Sequence, residues 1–167
     1  MSKFGFRIRS GGQTGVDRAA LDAAIATGCR YEGWCPRGGW AEDFPEPPGL
    51  LSKYPDLTET GDRSPAQRTE WNVRDSDATL LLQPDANFVS PGSDFTAQCA
   101  AELGKPLKIH VYSREETAQE IAAFFARFRD AHSINIAGPR ESEAPGAYVA
   151  CRRLLSACLD PDGRTTC

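Results

Sequence analysis

Near the start of the chain one periodicity gives way to another within a few residues, and this switch limits the possible folds more than any other feature. Residues 4–10, FGFRIRS, alternate apolar and polar side chains, the pattern of a strand with one buried face. The turn GGQTG (11–15) follows, and a helix is predicted over 15–27, closed by Gly28.

The same exchange of strand for helix recurs downstream. ATLLL (78–82) is a short continuous apolar run suited to a strand covered on both faces, and PLKIHVY (106–112) and SINIA (133–137) read as two more. Helices are predicted over 65–75, 94–103, 114–129 and 146–159. Ser64-Pro65-Ala66-Gln67 and Ser113-Arg114-Glu115-Glu116 carry capping-box spacing and predict where two of them start. Strands alternating with helices imply right-handed crossovers and helices on both sheet faces. The predicted fold is therefore α/β, a Rossmann-like three-layer sandwich with a mostly parallel central sheet.

With 167 residues, 40% of them hydrophobic, the chain suffices for one core and not two, so a single domain over 1–160 with a tail at 161–167 is expected. Residues 35–63 show little periodicity and much proline (Pro36, Pro45, Pro47, Pro48, Pro55), and are predicted to form a cover over the site. Trp34 and Trp40 then belong to either the core or that cover.

Composition narrows the function. A net charge of −4 without a basic block argues against a general nucleic-acid surface, and no apolar run approaches the roughly 20 residues of a membrane span. The six cysteines form no C-x-x-C pair, and His110 and His132 have no metal-ligand spacing to them, so no zinc site is expected. No secretory signal opens the sequence, which predicts a cytoplasmic protein with reduced thiols.

In a parallel sheet the loops after the strands gather at one edge, where ligands bind. Three loops stand out: Ser10-Gly11-Gly12-Gln13-Thr14-Gly15, Ser90-Pro91-Gly92-Ser93 and Gly138-Pro139-Arg140-Glu141-Ser142. The first combines permissive glycines with a helix N-terminus, which suits a phosphate; a tight strand-to-helix turn without ligand would use the same glycines. It matches neither the dinucleotide fingerprint nor a Walker loop, which disfavours ATP hydrolysis. In the second, Gly92 allows close approach, while Ser93 and Thr96 offer hydroxyls, Ser93 also as a helix N-cap.

Arg68, Asn72 and Asp75 share one face of the 65–75 helix, either as solvated surface or as a polar lining with Arg68 as the anion clamp. Asp17 can cap the first helix or accept from ligand hydroxyls or amines. Arg140 is either paired with Glu141 or Glu143 at the rim, worth little to binding, or stands at the mouth of the crevice; the sequence favours Arg68 as the residue that meets the anion.

SGGQTGVDRAALDAA (10–24), GWCPRGGWAED (33–43), RTEWNVRDSDATLLL (68–82) and NIAGPRES (135–142) together resemble the putative molybdenum carrier family, Rossmann-like proteins related to the cytokinin-activating phosphoribohydrolases once described as lysine decarboxylases. The resemblance implies a carrier of molybdenum cofactor or a related phosphorylated, ring-bearing molecule such as a nucleotide, assembled as a homodimer or larger. The related hydrolases carry a P-G-G-x-G-T-x-x-E loop whose glutamate acts with an upstream arginine. Arg68 matches that arginine, but Cys99 stands where the glutamate would be, with Asp94 and Glu102 as nearby substitutes. The resemblance thus implies a binding protein first, and a nucleoside-monophosphate phosphoribohydrolase or a nucleotide-sensing module as alternatives.

Overall fold

The computed structural model describes residues 4–160; the tail at 161–167 lies outside the described residues. Six strands form one parallel sheet: β1 (Arg7–Arg9), β2 (Tyr31–Cys35), β3 (Leu57–Glu59), β4 (Ala78–Gln83), β5 (Leu107–Val111) and β6 (Ser133–Ala137), in the order β3-β2-β1-β6-β4-β5. The helices are α1 (Val16–Ala26), α2 (Leu50–Lys53), α3 (Pro65–Arg74), α4 (Pro91–Glu102), α5 (Thr117–Arg127) and α6 (Ala147–Leu159). The three-layer α/β sandwich expected from the sequence is the fold observed.

Right-handed crossovers set the layers. The connections β1 to β2, β2 to β3 and β5 to β6 run towards the β3 edge, and those from β3 to β4 and β4 to β5 run the other way. Helices α1, α5 and α6 accordingly pack together on one face, and α3 packs with α4 on the other. The alanines of α1 (Ala19, Ala20, Ala23, Ala24) are fully buried, and their small size lets α6 lie close, against Cys151 and Leu155. Ile8, Leu80, Leu82, Ile134 and Ile136 carry this core across the central strands.

Residues 35–63 are not a cover. They contain α2, β3 and a 3-10 turn at Arg37–Gly39, and bury Leu50, Tyr54 and Leu57 against Leu21 and Cys35 in a second core of their own. β2 and β3 escape the period-2 pattern for a physical reason: β2 reads YEGWC, with a glutamate and a glycine in its middle, and β3 has only three residues. Trp34 lies in β2, its ring edge-on to Trp71 at 4.8 Å between centroids.

Helix starts follow the capping chemistry in one case and depart from it in two. Ser64 Oγ accepts from the Ala66 amide with Pro65 in the first turn, as the sequence indicates, although Gln67 turns its side-chain oxygen to the Asp62 amide. Ser113 donates to the Pro84 carbonyl and caps nothing, so α5 begins three residues later than predicted. Conversely, α4 begins three residues early, at Pro91, which draws Gly92 and Ser93 out of the loop and into the first turn of a helix.

Candidate functional site at the switch point of the sheet

From β1 the chain winds outward to β3, then crosses over β6 to wind outward again through β4 and β5. The crevice beyond the carboxyl ends of β1, β6 and β4 is the switch point of such a sheet. A cavity of about 510 Å³ lies there, lined by parts of all three loops and by the start of α3. Gln13, Asp17, Arg68, Gly92, Thr96 and Arg140 reach it; of the other sequence-selected residues, Ser10, Gly11, Gly12, Thr14, Gly15, Asn72 and Ser93 are absent from its lining.

The N-terminus of α1 is closed by the protein itself. Val16 N–H donates to the Pro139 carbonyl at 3.2 Å, and Gly15 is packed so tightly that a Cβ there would lie 2.3 Å from that same oxygen. Thr14 Oγ1 donates to the Glu42 carboxylate and accepts from the Glu141 amide. Gly12 faces Leu50 and Leu57 of the second core. Ser10 Oγ is spent on the Ile136 and Asp17 carbonyls. The first glycine loop therefore builds the junction between β1, α1 and the β6 loop, and turns only Gln13 and Asp17 to the cavity.

The N-terminus of α4 is open. Pro91 and Gly92 line the cavity, and Ser90, the N-cap, makes no capping bond to the helix amides. The Gly92 and Ser93 amides are thus outside the helical ladder and lack a side-chain cap. Ser93 Oγ is buried without a hydrogen-bond partner among the described residues, and Thr96 Oγ1 bonds back to the Gly92 carbonyl.

The two arginines differ in pairing from what the sequence suggests. Arg68 is committed: its Nη1 donates to Asp17 Oδ2 at 2.9 Å, with side-chain exposures of 13% and 3%. Its Nε is buried without a hydrogen-bond partner among the described residues. The helix neighbours that share its face do not hold it. Asn72 instead exchanges two hydrogen bonds with the Trp34 main chain, at 2.8 and 2.9 Å, and Asp75 accepts from Trp34 Nε1 and Arg74. Burial pushes the Asp17 carboxyl above its ordinary value, more strongly than the Arg68 charge pulls it down.

Arg140 lines the cavity and makes no salt bridge among the described residues, and its acidic neighbours have other partners. Glu141 accepts from the Gly146 and Tyr148 amides at the start of α6. Glu143 Oε2 accepts from the Arg140 amide at 3.1 Å and from Ser90 Oγ at 3.2 Å. The Arg140 guanidinium is felt by Glu42, whose carboxyl is disfavoured by burial but held below its usual value by hydrogen bonds from Thr14 and Ser142 and by that charge.

Cys99 is buried with Val73 and Ala100 between α3 and α4, so this position presents an apolar contact and no carboxylate. Asp94 and Glu102 are exposed and lie outside the cavity lining. The carboxylates that do line it are Asp17 and Glu143. Sequence reading missed Phe95 and Glu143 as lining residues, although the three-residue step from Arg140 to Glu143 is the spacing of a tight turn. Among the described residues no three His, Cys, Asp or Glu side chains gather to hold a metal ion, and no helix is long and apolar enough to cross a membrane.

A family model described as the circularly permutated YpsA SLOG family matches residues 8–159. The chain belongs to that family. Counted from β6 as first, the sheet of this SLOG-family chain runs 4-3-2-1-5-6, outward on either side of the switch point. A solved structure similar to this SLOG-family chain is the crystal structure of a putative molybdenum carrier protein from Syntrophus aciditrophicus SB, 34% identical, with a TM-score of 0.80 over 95% of this chain and 98% of that one. No curated protein matches the chain.

Proposed function

We propose that the protein is a non-catalytic binding protein that holds a phosphorylated, ring-bearing small molecule in the switch-point cavity. The observation that carries this reading is that Arg140, which makes no salt bridge among the described residues, lines the cavity together with the uncapped N-terminus of α4. An unpaired cation and free main-chain amides in one partly enclosed site favour an anion with several acceptor oxygens. Phe95, Pro65 and Ala137 give the same cavity an apolar wall suited to a flat ring.

The solved relative is named a molybdenum carrier, which supports molybdenum cofactor, itself a phosphorylated pterin, as the cargo; a nucleotide is the alternative ring. A cytoplasmic homodimer or larger assembly completes the reading. Two measurements test it. Native mass spectrometry of protein purified without added ligand is expected to show a copurified small molecule of defined mass. Calorimetric titration with nucleoside 5′-monophosphates is expected to show binding that the unphosphorylated nucleosides lack; equal affinity for both would remove the phosphate from the reading.

A further inference from the structure

Glu143 is a carboxylate in a place suited to a ligand's anion. One of its oxygens, Oε2, takes hydrogen bonds from Ser90 Oγ at 3.2 Å and from the Arg140 amide at 3.1 Å. Both donors belong to the loops that frame the cavity, and Glu143 itself lines it. Ser90 is the N-cap of α4, and its hydroxyl turns away from the helix amides to meet this carboxylate. Ser93, in the first turn of the same helix, has a buried hydroxyl with no partner among the described residues. An uncapped helix, a cap residue diverted to a resident anion and an unsatisfied hydroxyl thus occur within four residues.

We propose that Glu143 is a specificity-determining residue that acts as a resident anion: its carboxylate holds the oxyanion position between Ser90 and the Arg140 amide, and a phosphorylated ligand enters by displacing it. The inference rests on the phosphate-binding reading above and adds a constraint to it. A carboxylate beside the bound phosphate repels it, so the site admits only an anion whose contacts with Arg140 and the α4 amides exceed those that Glu143 gives up. Weak acceptors remain outside. When the cavity is empty, the same carboxylate satisfies the buried Ser90 hydroxyl and the Arg140 amide.

Titrating wild type, Glu143→Gln and Glu143→Asp with inorganic phosphate and with guanosine 5′-monophosphate tests the proposal. Glutamine keeps the shape and an acceptor oxygen but loses the charge, and it is expected to bind both probes about tenfold more tightly. Aspartate keeps the charge on a shorter stem and is expected to change affinity less than glutamine does. Should wild type bind while glutamine binds equally or more weakly, or aspartate tighten binding as much as glutamine, the resident-anion role is overturned and the phosphate site stands. Failure of all three proteins to bind either probe would overturn both.

Discussion

Arg68 and Asp17, 51 positions apart in sequence, meet through a single 2.9 Å bond beneath Gly11, where a Cβ would lie 2.1 Å from Arg68 Nη1. Glycine at this position is what lets α3 bring its arginine against the start of α1. The pair is nearly enclosed, so its main effect is on the integrity of the site.

Arg68→Ala is therefore expected to destabilise the protein by about 3 kcal/mol or more, because it strands a buried carboxylate. Urea denaturation measures this. Converting both partners, Asp17→Leu with Arg68→Met, is expected to cost less than Arg68→Met alone.

The pH dependence of that defect has a definite sign. Burial holds the folded Asp17 carboxyl above its ordinary 3.8, so the folded state binds its proton more readily than the unfolded state. Such a group favours folding more as pH falls, and removing the arginine charge raises its pKa further. The loss caused by Arg68→Ala should be smaller at about pH 5 than at about pH 8; an equal loss in urea titrations at the two values would contradict a stranded carboxylate.

Arg140→Ala is expected to leave thermal stability nearly unchanged, since the guanidinium forms no salt bridge among the described residues. It should weaken binding of a phosphorylated ligand by about tenfold or more, the worth of one charge-assisted contact. Side-by-side calorimetry of Arg140→Ala and wild type reads both consequences.

Gly12→Val should impair folding directly. Gly12 has φ +74°, and its added Cβ would lie 3.1 Å from Leu50 Cδ1 and 3.2 Å from Leu57 Cδ1. Backbone strain and overpacking together predict a loss of about 2–4 kcal/mol, read as a lower denaturation midpoint with no ligand present.

Asn72→Ala should likewise act on stability. It removes both hydrogen bonds to the Trp34 main chain at a position only 2% exposed, and is expected to cost about 2 kcal/mol. Ligand affinity measured on the folded fraction should match wild type.

The alternation of strand and helix, the closure of α1 at Gly28, the Ser64-Pro65 start of α3 and the gathering of three loops at one sheet edge are all legible in the sequence, because each rests on local periodicity or local backbone chemistry. The strands β2 and β3 are not, because what makes YEGWC and LTE strands is pairing with neighbours and not any pattern of their own. The same division runs through the site. Residue types told that an anion could be held near the glycine loops and the arginines; only the tertiary structure decided which helix end stays open, which arginine is already paired and where the carboxylates point. Those outcomes depend on contacts such as Val16 with Pro139, Arg68 with Asp17 and Glu143 with Ser90, whose partners lie 51 to 123 residues apart and meet only when the sheet has assembled.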